Sequence, residues 1–136
     1  IVVPNGLKPQ ECDLGNANIM FVSANTVDEI GILSDQFRHG LADYDYTLMA
    51  RKMKIPVLVT PNICGVCIND HPFSIDLFAK NNLMERIRIS YAPIGGIALP
   101  DYIKYYKRNF WYRVPFVFLV GWVRILFPFI YKIFYK

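Results

Sequence analysis

The chain has 136 residues, 54% of them apolar and 15% aromatic, with fifteen Lys or Arg against eleven Asp or Glu. That composition excludes a disordered chain and allows one domain at most, globular or membrane-associated. The net charge of +4 conceals an asymmetry: residues 102–136 hold seven basic residues and no acidic one, which leaves the first 101 residues at −3.

The opening "IVVPNG" reads as a strand running into a turn, without the basic start and longer apolar core of a signal peptide, so the chain is expected to begin in the middle of a fold. "NIMFVS" (Asn18–Ser23) has strand length and composition. "ANTVDEIG" predicts a short helix with Asn25 or Thr26 as N-cap and Gly31 as its stop. A polar loop, "ILSDQFRHG", follows. From Asp43 the pattern turns helical: Leu41, Tyr44 and Leu48 mark a buried face, Asp43 is the expected N-cap, Arg51, Lys52 and Lys54 suit the negative end of the helix dipole, and Pro56 ends it. "VLVT" (Val57–Thr60) predicts a buried strand, Pro61-Asn62 a turn and "ICGVCI" a further strand, after which Ser74 caps a short helix from Ile75 to about Asn82. This alternation implies an α/β layer rather than a bundle. There is no internal repeat and no low-complexity linker.

"FRHGLADYDYTLMARK" places Asp43 and Asp45 one residue apart at a loop-to-helix junction. Two residues at roughly 100° each lie on nearly opposite sides of a helix, so the two carboxylates cannot act on one substrate atom and must differ in role. Spacing alone favours a structural reading, in which Asp43 caps the helix and Asp45 adds charge to its first turn, for about 1–2 kcal/mol together. The functional reading needs one carboxylate facing a cleft, able to take a proton from a hydroxyl.

Over Asp13–Cys67 an ordered set of features stands together: "GNANIMFVS", the V-x-x-I-G helix, the His39-Gly40 loop end, D-Y-D-Y-x-L-x-A-R, and an L-V-x-P strand end. In this set the chain resembles the C-terminal half of the catalytic domain of family 2 glycosyltransferases, nucleotide-sugar-dependent enzymes of the GT-A fold. The opening stretch is similar to the family's E-D-x-D-Y-x-x-R motif, whose second acidic residue deprotonates the acceptor hydroxyl. The resemblance gives that role to Asp43. Ala42 stands where the Glu often does, as in the branch reading H-G-x-A-D-x-D-Y; the base is kept and the acceptor contacts are altered. The resemblance further implies an acceptor side built from Asn16, Asn18, His39, Gly40 and Asp45, with Asp45 and Tyr46 supporting the helix and the floor of the site.

The same resemblance implies a donor-binding half upstream, with a D-x-D-type site holding a divalent cation, Mg or Mn, on the nucleotide diphosphate. The only D-x-D string here is Asp43-Tyr44-Asp45, and no G-x-G-x-x-G or P-loop occurs. No metal ligands are therefore assigned within this chain, whose donor half is missing and which is expected to be inactive alone. Some family members use a His beyond the base as a metal ligand; His71, the only downstream His, reads first as a loop residue beside Pro72.

Cys64-x-x-Cys67 with His71 and Cys12 has the ligand types of a Cys₃His zinc site, but "ICGVCI" is apolar and strand-like and Cys12 is remote. Buried free thiols in a reducing compartment are the favoured reading.

The tail from residue 101 is basic, apolar and aromatic. Its longest uncharged run, Val114–Val123, is ten residues, against the roughly 20 a spanning helix needs. Pro115, Pro128 and Arg124 interrupt the wider apolar stretch and disfavour a span. Trp111, Tyr112, Trp122 and Tyr131 are interfacial types, and Lys104, Lys107, Arg108, Arg113, Arg124, Lys132 and Lys136 offer charge to anionic headgroups. The expectation is a monotopic or peripheral anchor, the competing reading a helical hairpin packed on protein. Nucleic acid is excluded as a partner, since bulky aliphatics alternate with the basic residues.

The fold expectation is thus α/β, a partial GT-A fold over residues 1–100 followed by an amphipathic helical tail over 101–136. The functional expectation is a membrane-associated, inverting glycosyltransferase of the cell envelope, at the cytoplasmic face of the membrane. It would use a nucleotide-sugar donor and a polysaccharide or lipid-linked glycan acceptor. The alternative is a non-catalytic membrane-binding or interaction domain on the same scaffold.

Overall fold

Short helices make up most of the described residues, and a two-stranded sheet is the only β structure among them. A computed structural model describes residues 2–16, 18–37, 41–66, 74–92 and 98–134. The chain divides into two units, Ile1–Gln36 with Ala42–Asn69, and Phe37–Leu41 with Asp70–Lys136.

In the first unit, β1 (Gln10–Glu11) pairs antiparallel with β2 (Leu58–Val59), Gln10 opposite Val59 and Glu11 opposite Leu58. Flanking bonds from the Cys12 amide to the Val57 carbonyl (2.9 Å) and from the Gly6 amide to the Pro61 carbonyl (2.8 Å) prolong the contact. Only two residues of "VLVT" enter the ladder, and no ladder forms over residues 2–5, Asn18–Ser23 or Ile63–Val66, which corrects the strands expected there. Apolar composition favours a strand only where a partner edge exists, and here Phe21 is 89% exposed. Both α and β elements are present, but the sheet is too small to be the expected layer.

Helix α1 (Ala24–Ile30) is capped by Ser23, not by Asn25 or Thr26. Ser23 has the extended backbone of an N-cap, and its hydroxyl accepts from the Thr26 amide (3.2 Å) and bonds the Thr26 hydroxyl (2.8 Å). Gly31, at φ 78°, stops the helix as expected.

Helix α2 (Ala42–Lys52) starts two residues earlier than an Asp43 cap implies, so Asp43 lies inside its first turn. Its buried residues are Asp45, Tyr46, Thr47 and Ala50, while Tyr44 and Leu48 are half-buried. The helix closes before Pro56: the Ile55 amide reaches the Ala50 carbonyl and the Lys54 amide the Arg51 carbonyl, both 2.9 Å, with Lys54 left-handed at φ 61°. This is a Schellman closure with lysine at the position that favours glycine. Lys54→Gly is expected to stabilise the chain by about 0.5–1 kcal/mol in chemical denaturation, because relief of the left-handed strain exceeds the added chain entropy. A loss of stability would show that Lys54 is not strained.

In the second unit, Ser74 caps α3 (Ile75–Lys80) as expected, two residues shorter at its end. Asn82, whose Oδ1 accepts from the Glu85 amide (2.9 Å), starts α4 (Leu83–Tyr91). The tail forms α5 (Leu99–Asn109), a 3₁₀ turn over Trp111–Arg113, α6 (Val114–Leu126) and α7 (Pro128–Phe134). Pro100, Pro115 and Pro128 each stand in the first turn of a helix, where a missing amide hydrogen costs nothing. Phe78, Leu99 and Ile125 form the core, with Ile75, Ile87, Ile89, Ile103 and Trp122 around it. Gly121 lets α6 approach Leu99 so closely that a Cβ there would strike the leucine side chain. Arg86 fastens the unit, donating from Nη1 to the Ile125 carbonyl (2.8 Å) and from Nε to the Asn81 carbonyl (3.0 Å). Phe37 lies edge-on to Tyr105, ring centroids 6.2 Å apart. Among the described residues no helix is long and apolar enough to cross a membrane.

Candidate functional site

Asp43 is the second residue of α2, half-buried, and its Oδ1 accepts from the Tyr44 amide (2.9 Å). Asp45 is 1% exposed. The helix therefore separates the two carboxylates by environment as well as by angle: one can meet a solute and the other is enclosed. In this geometry Asp45 is enclosed in the packing around the helix, whereas Asp43 stays partly open.

Thr47 ties the first turn of α2 to the segment ahead of Asn16. Its hydroxyl donates to the Asp43 carbonyl (2.9 Å) and accepts from the Gly15 amide (3.2 Å). A Cβ on Gly15 would lie 3.2 Å from Thr47 Cγ2 and 3.6 Å from Val57 Cγ1, so a small residue suits this approach. Asn16, next in the chain, accepts from the Asn18 amide (3.0 Å), and both asparagines are exposed. The structure thus brings the Asn16–Asn18 turn to the end of α2 that carries Asp43. Tyr46 is buried, and its hydroxyl donates to the Gly31 carbonyl (2.8 Å), joining α1 to α2. Burial pushes its phenol pKa up, which keeps the donor protonated. His39 and Gly40 lie outside the described residues.

Cys67 and His71 also lie outside the described residues, among which no group of three or more His, Cys, Asp or Glu side chains could hold a metal ion. Cys12 is half-buried and its thiol pKa is raised, first by burial and then by Asp13. Cys64 is exposed, its Sγ 3.4 Å from Thr60 Oγ1, which corrects the expectation of a buried thiol: the segment is a loop, not a strand. In a Cys67→Ser background, Cys64 is therefore expected to react with a thiol reagent at pH 7.5 roughly tenfold or more faster than Cys12, read by peptide mass mapping. Equal rates would contradict this contrast.

The tail presents Trp111, Phe116, Leu119, Phe129 and Ile133 to solvent, with Lys104, Lys107, Arg108 and Arg113 also exposed. Two of the residues expected at headgroups also contact protein. Arg124 is 8% exposed, turned into the unit beside Tyr131 and Tyr102. Lys132 binds Asp76 of α3 (Nζ to Oδ1, 2.6 Å). Lys136 is outside the described residues.

No family model, no curated protein and no solved structure matches this chain. Sequence reasoning missed α4, although Asn82 followed by Glu85 is a readable start signal. It also missed the Thr47–Gly15 link, for which the sequence carries no local signal.

Proposed function

We propose that this chain is the acceptor-side half of an inverting, membrane-associated family 2 glycosyltransferase with a GT-A fold, completed by a donor-binding half. The observation that carries this reading is the half-buried Asp43 in the first turn of α2, set apart from the enclosed Asp45. In the proposed reaction an acceptor hydroxyl lies against the Asp43 carboxylate, which takes its proton as the oxygen attacks the anomeric carbon. The bond from that carbon to the diphosphate breaks, its electron pair leaves with the nucleotide, and the configuration inverts. The Asn16–Asn18 turn borders the acceptor, and Tyr46 and Thr47 hold the helix that positions the base. A divalent cation, Mg or Mn, belongs to the donor half in this reading.

The exposed aromatic and basic residues of the tail support residence at the cytoplasmic membrane face, where a polysaccharide or lipid-linked acceptor would be met. Asp43→Asn in a chain supplied with its donor half is the test: loss of transfer with folding kept supports the reading, and transfer that survives overturns it. The non-catalytic alternative predicts no transfer even from the unsubstituted chain supplied with its donor half.

A further inference from the structure

Helices that face water turn polar residues outward and apolar ones inward. On α6 and α7 the order is reversed. Every exposed side chain described on these two helices is apolar, while their two charged residues, Arg124 and Lys132, are buried and half-buried. Phe116, Leu119 and Leu126 of α6 fall on one stripe at roughly 100° per residue, away from Gly121, which packs inward on Leu99. A single residue separates α6 from α7, where Phe129, Ile130 and Ile133 continue the series. These six side chains are 44–74% exposed. At the other end of α6 stand Trp111 and Tyr112, both exposed, with the Arg113 guanidinium over the Tyr112 ring, 5.6 Å from its centroid. The second unit as a whole carries eleven Lys or Arg against four Asp or Glu, a net charge of +7.

We infer that the outer stripe of α6 and α7 enters the hydrocarbon edge of an anionic bilayer, with the helices lying in its plane, Trp111 and Tyr112 at headgroup level and Arg113 among the lipid phosphates. Aliphatic and phenyl side chains offer no hydrogen bond, so whatever covers them must ask for none. The charge of the unit asks for an anionic partner. A bilayer containing acidic lipid meets both demands in layers, charge at the surface and hydrocarbon beneath, and amphipathic Trp and Tyr rings suit the boundary between them. A second copy of the chain would set +7 against +7, a like-charge juxtaposition that opposes pairing. Penetration by about 5–10 Å suits helices of thirteen and seven residues, which are too short to cross. The inference rests on the membrane residence within the proposed function and adds to it which side chains penetrate; it does not require sugar transfer.

Vesicle flotation of the full chain tests it, with phosphatidylcholine alone and with phosphatidylcholine and phosphatidylglycerol at roughly two to one. Binding to the anionic vesicles is expected to be roughly tenfold or more tighter. Leu119→Gln combined with Ile133→Gln, which changes no charge, should weaken it by roughly tenfold or more, and Met84→Gln, at an exposed side chain of α4, by less than about twofold. Both substituted positions are exposed, so folding should hold, and circular dichroism melts check it. Independently of any variant, lipids brominated at shallow acyl positions should quench the tryptophan fluorescence of the bound chain. Anionic binding that survives the double substitution, equal binding to neutral vesicles, or bound protein without quenching would each overturn the inference while membrane residence stands. Absence of binding to either vesicle overturns both. A dimer in sedimentation that the double substitution dissolves would put a second copy on this face and overturn it as well. Unchanged vesicle binding beside unchanged transfer in Asp43→Asn supports insertion and overturns the proposed transfer.

Discussion

In a chain carrying a donor-binding half, Asp43→Asn is expected to lower sugar transfer by roughly 10²–10⁴-fold, the usual contribution of a general base. The substitution keeps the shape of the side chain and an Oδ1 acceptor for the Tyr44 amide, a bond of 2.9 Å, so the first turn of α2 retains its local support. Loss of charge from that turn costs only about 0.3–1 kcal/mol. Activity and stability should therefore separate, with turnover falling steeply and the melting temperature almost unmoved. Asp45→Asn is the informative contrast. Its carboxylate is enclosed, so its replacement should act on folding first and on turnover only through the helix. Equal activity losses in both variants, each with a lowered melting temperature, would point to a shared structural role and remove Asp43 from the chemistry.

Ile125→Ala is expected to cost about 2–5 kcal/mol, the range for emptying a fully buried aliphatic site. Ile125 is 0% exposed and sits with Phe78 and Leu99 at the centre of the second unit. The expected value lies toward the upper end, because Arg86 holds the Ile125 carbonyl at 2.8 Å and resists collapse of α6 into the void. Both tryptophans, Trp111 and Trp122, belong to this unit, so fluorescence in a denaturant titration reports it directly. Ile133→Ala, at a side chain 74% exposed, should change stability by less than about 0.5 kcal/mol. A cost for Ile125→Ala no greater than that would mean that α6 is not packed into this core.

The contrast between these sites shows which features were legible in the sequence. Helix stops and starts with local chemistry could be read: Gly31 ends α1 and Ser74 begins α3 where expected, since each acts through bonds a few residues long. The location of Asp43 near the start of α2 was legible to within two residues for the same reason. Of the strands, only Val57–Thr60 was legible, and in part, as Leu58–Val59; a ladder depends on a partner distant in the chain, and Asn18–Ser23 has the composition without the partner. The unlike surroundings of Asp43 and Asp45 followed from helical angle, but which of the two faced inward did not. Arg124 was the hardest residue to place. An arginine among interfacial aromatics suggests a charge reaching out to headgroups, whereas packing on Gly121 and Leu99 turns this stretch of α6 into the unit.

The bonds from Arg86 to two backbone carbonyls, with the ion pair from Lys132 to Asp76, have a bearing on how the tail would attach to a surface. Many amphipathic segments are coils in water and become helical only on lipid, so each attachment carries an ordering penalty. Here α6 and α7 lose their freedom when the protein folds, before any lipid is met. Attachment would then resemble the docking of a rigid plate: little change in helicity, a fixed presentation of aromatic side chains, and a strength governed by area and charge rather than by a coil-to-helix transition.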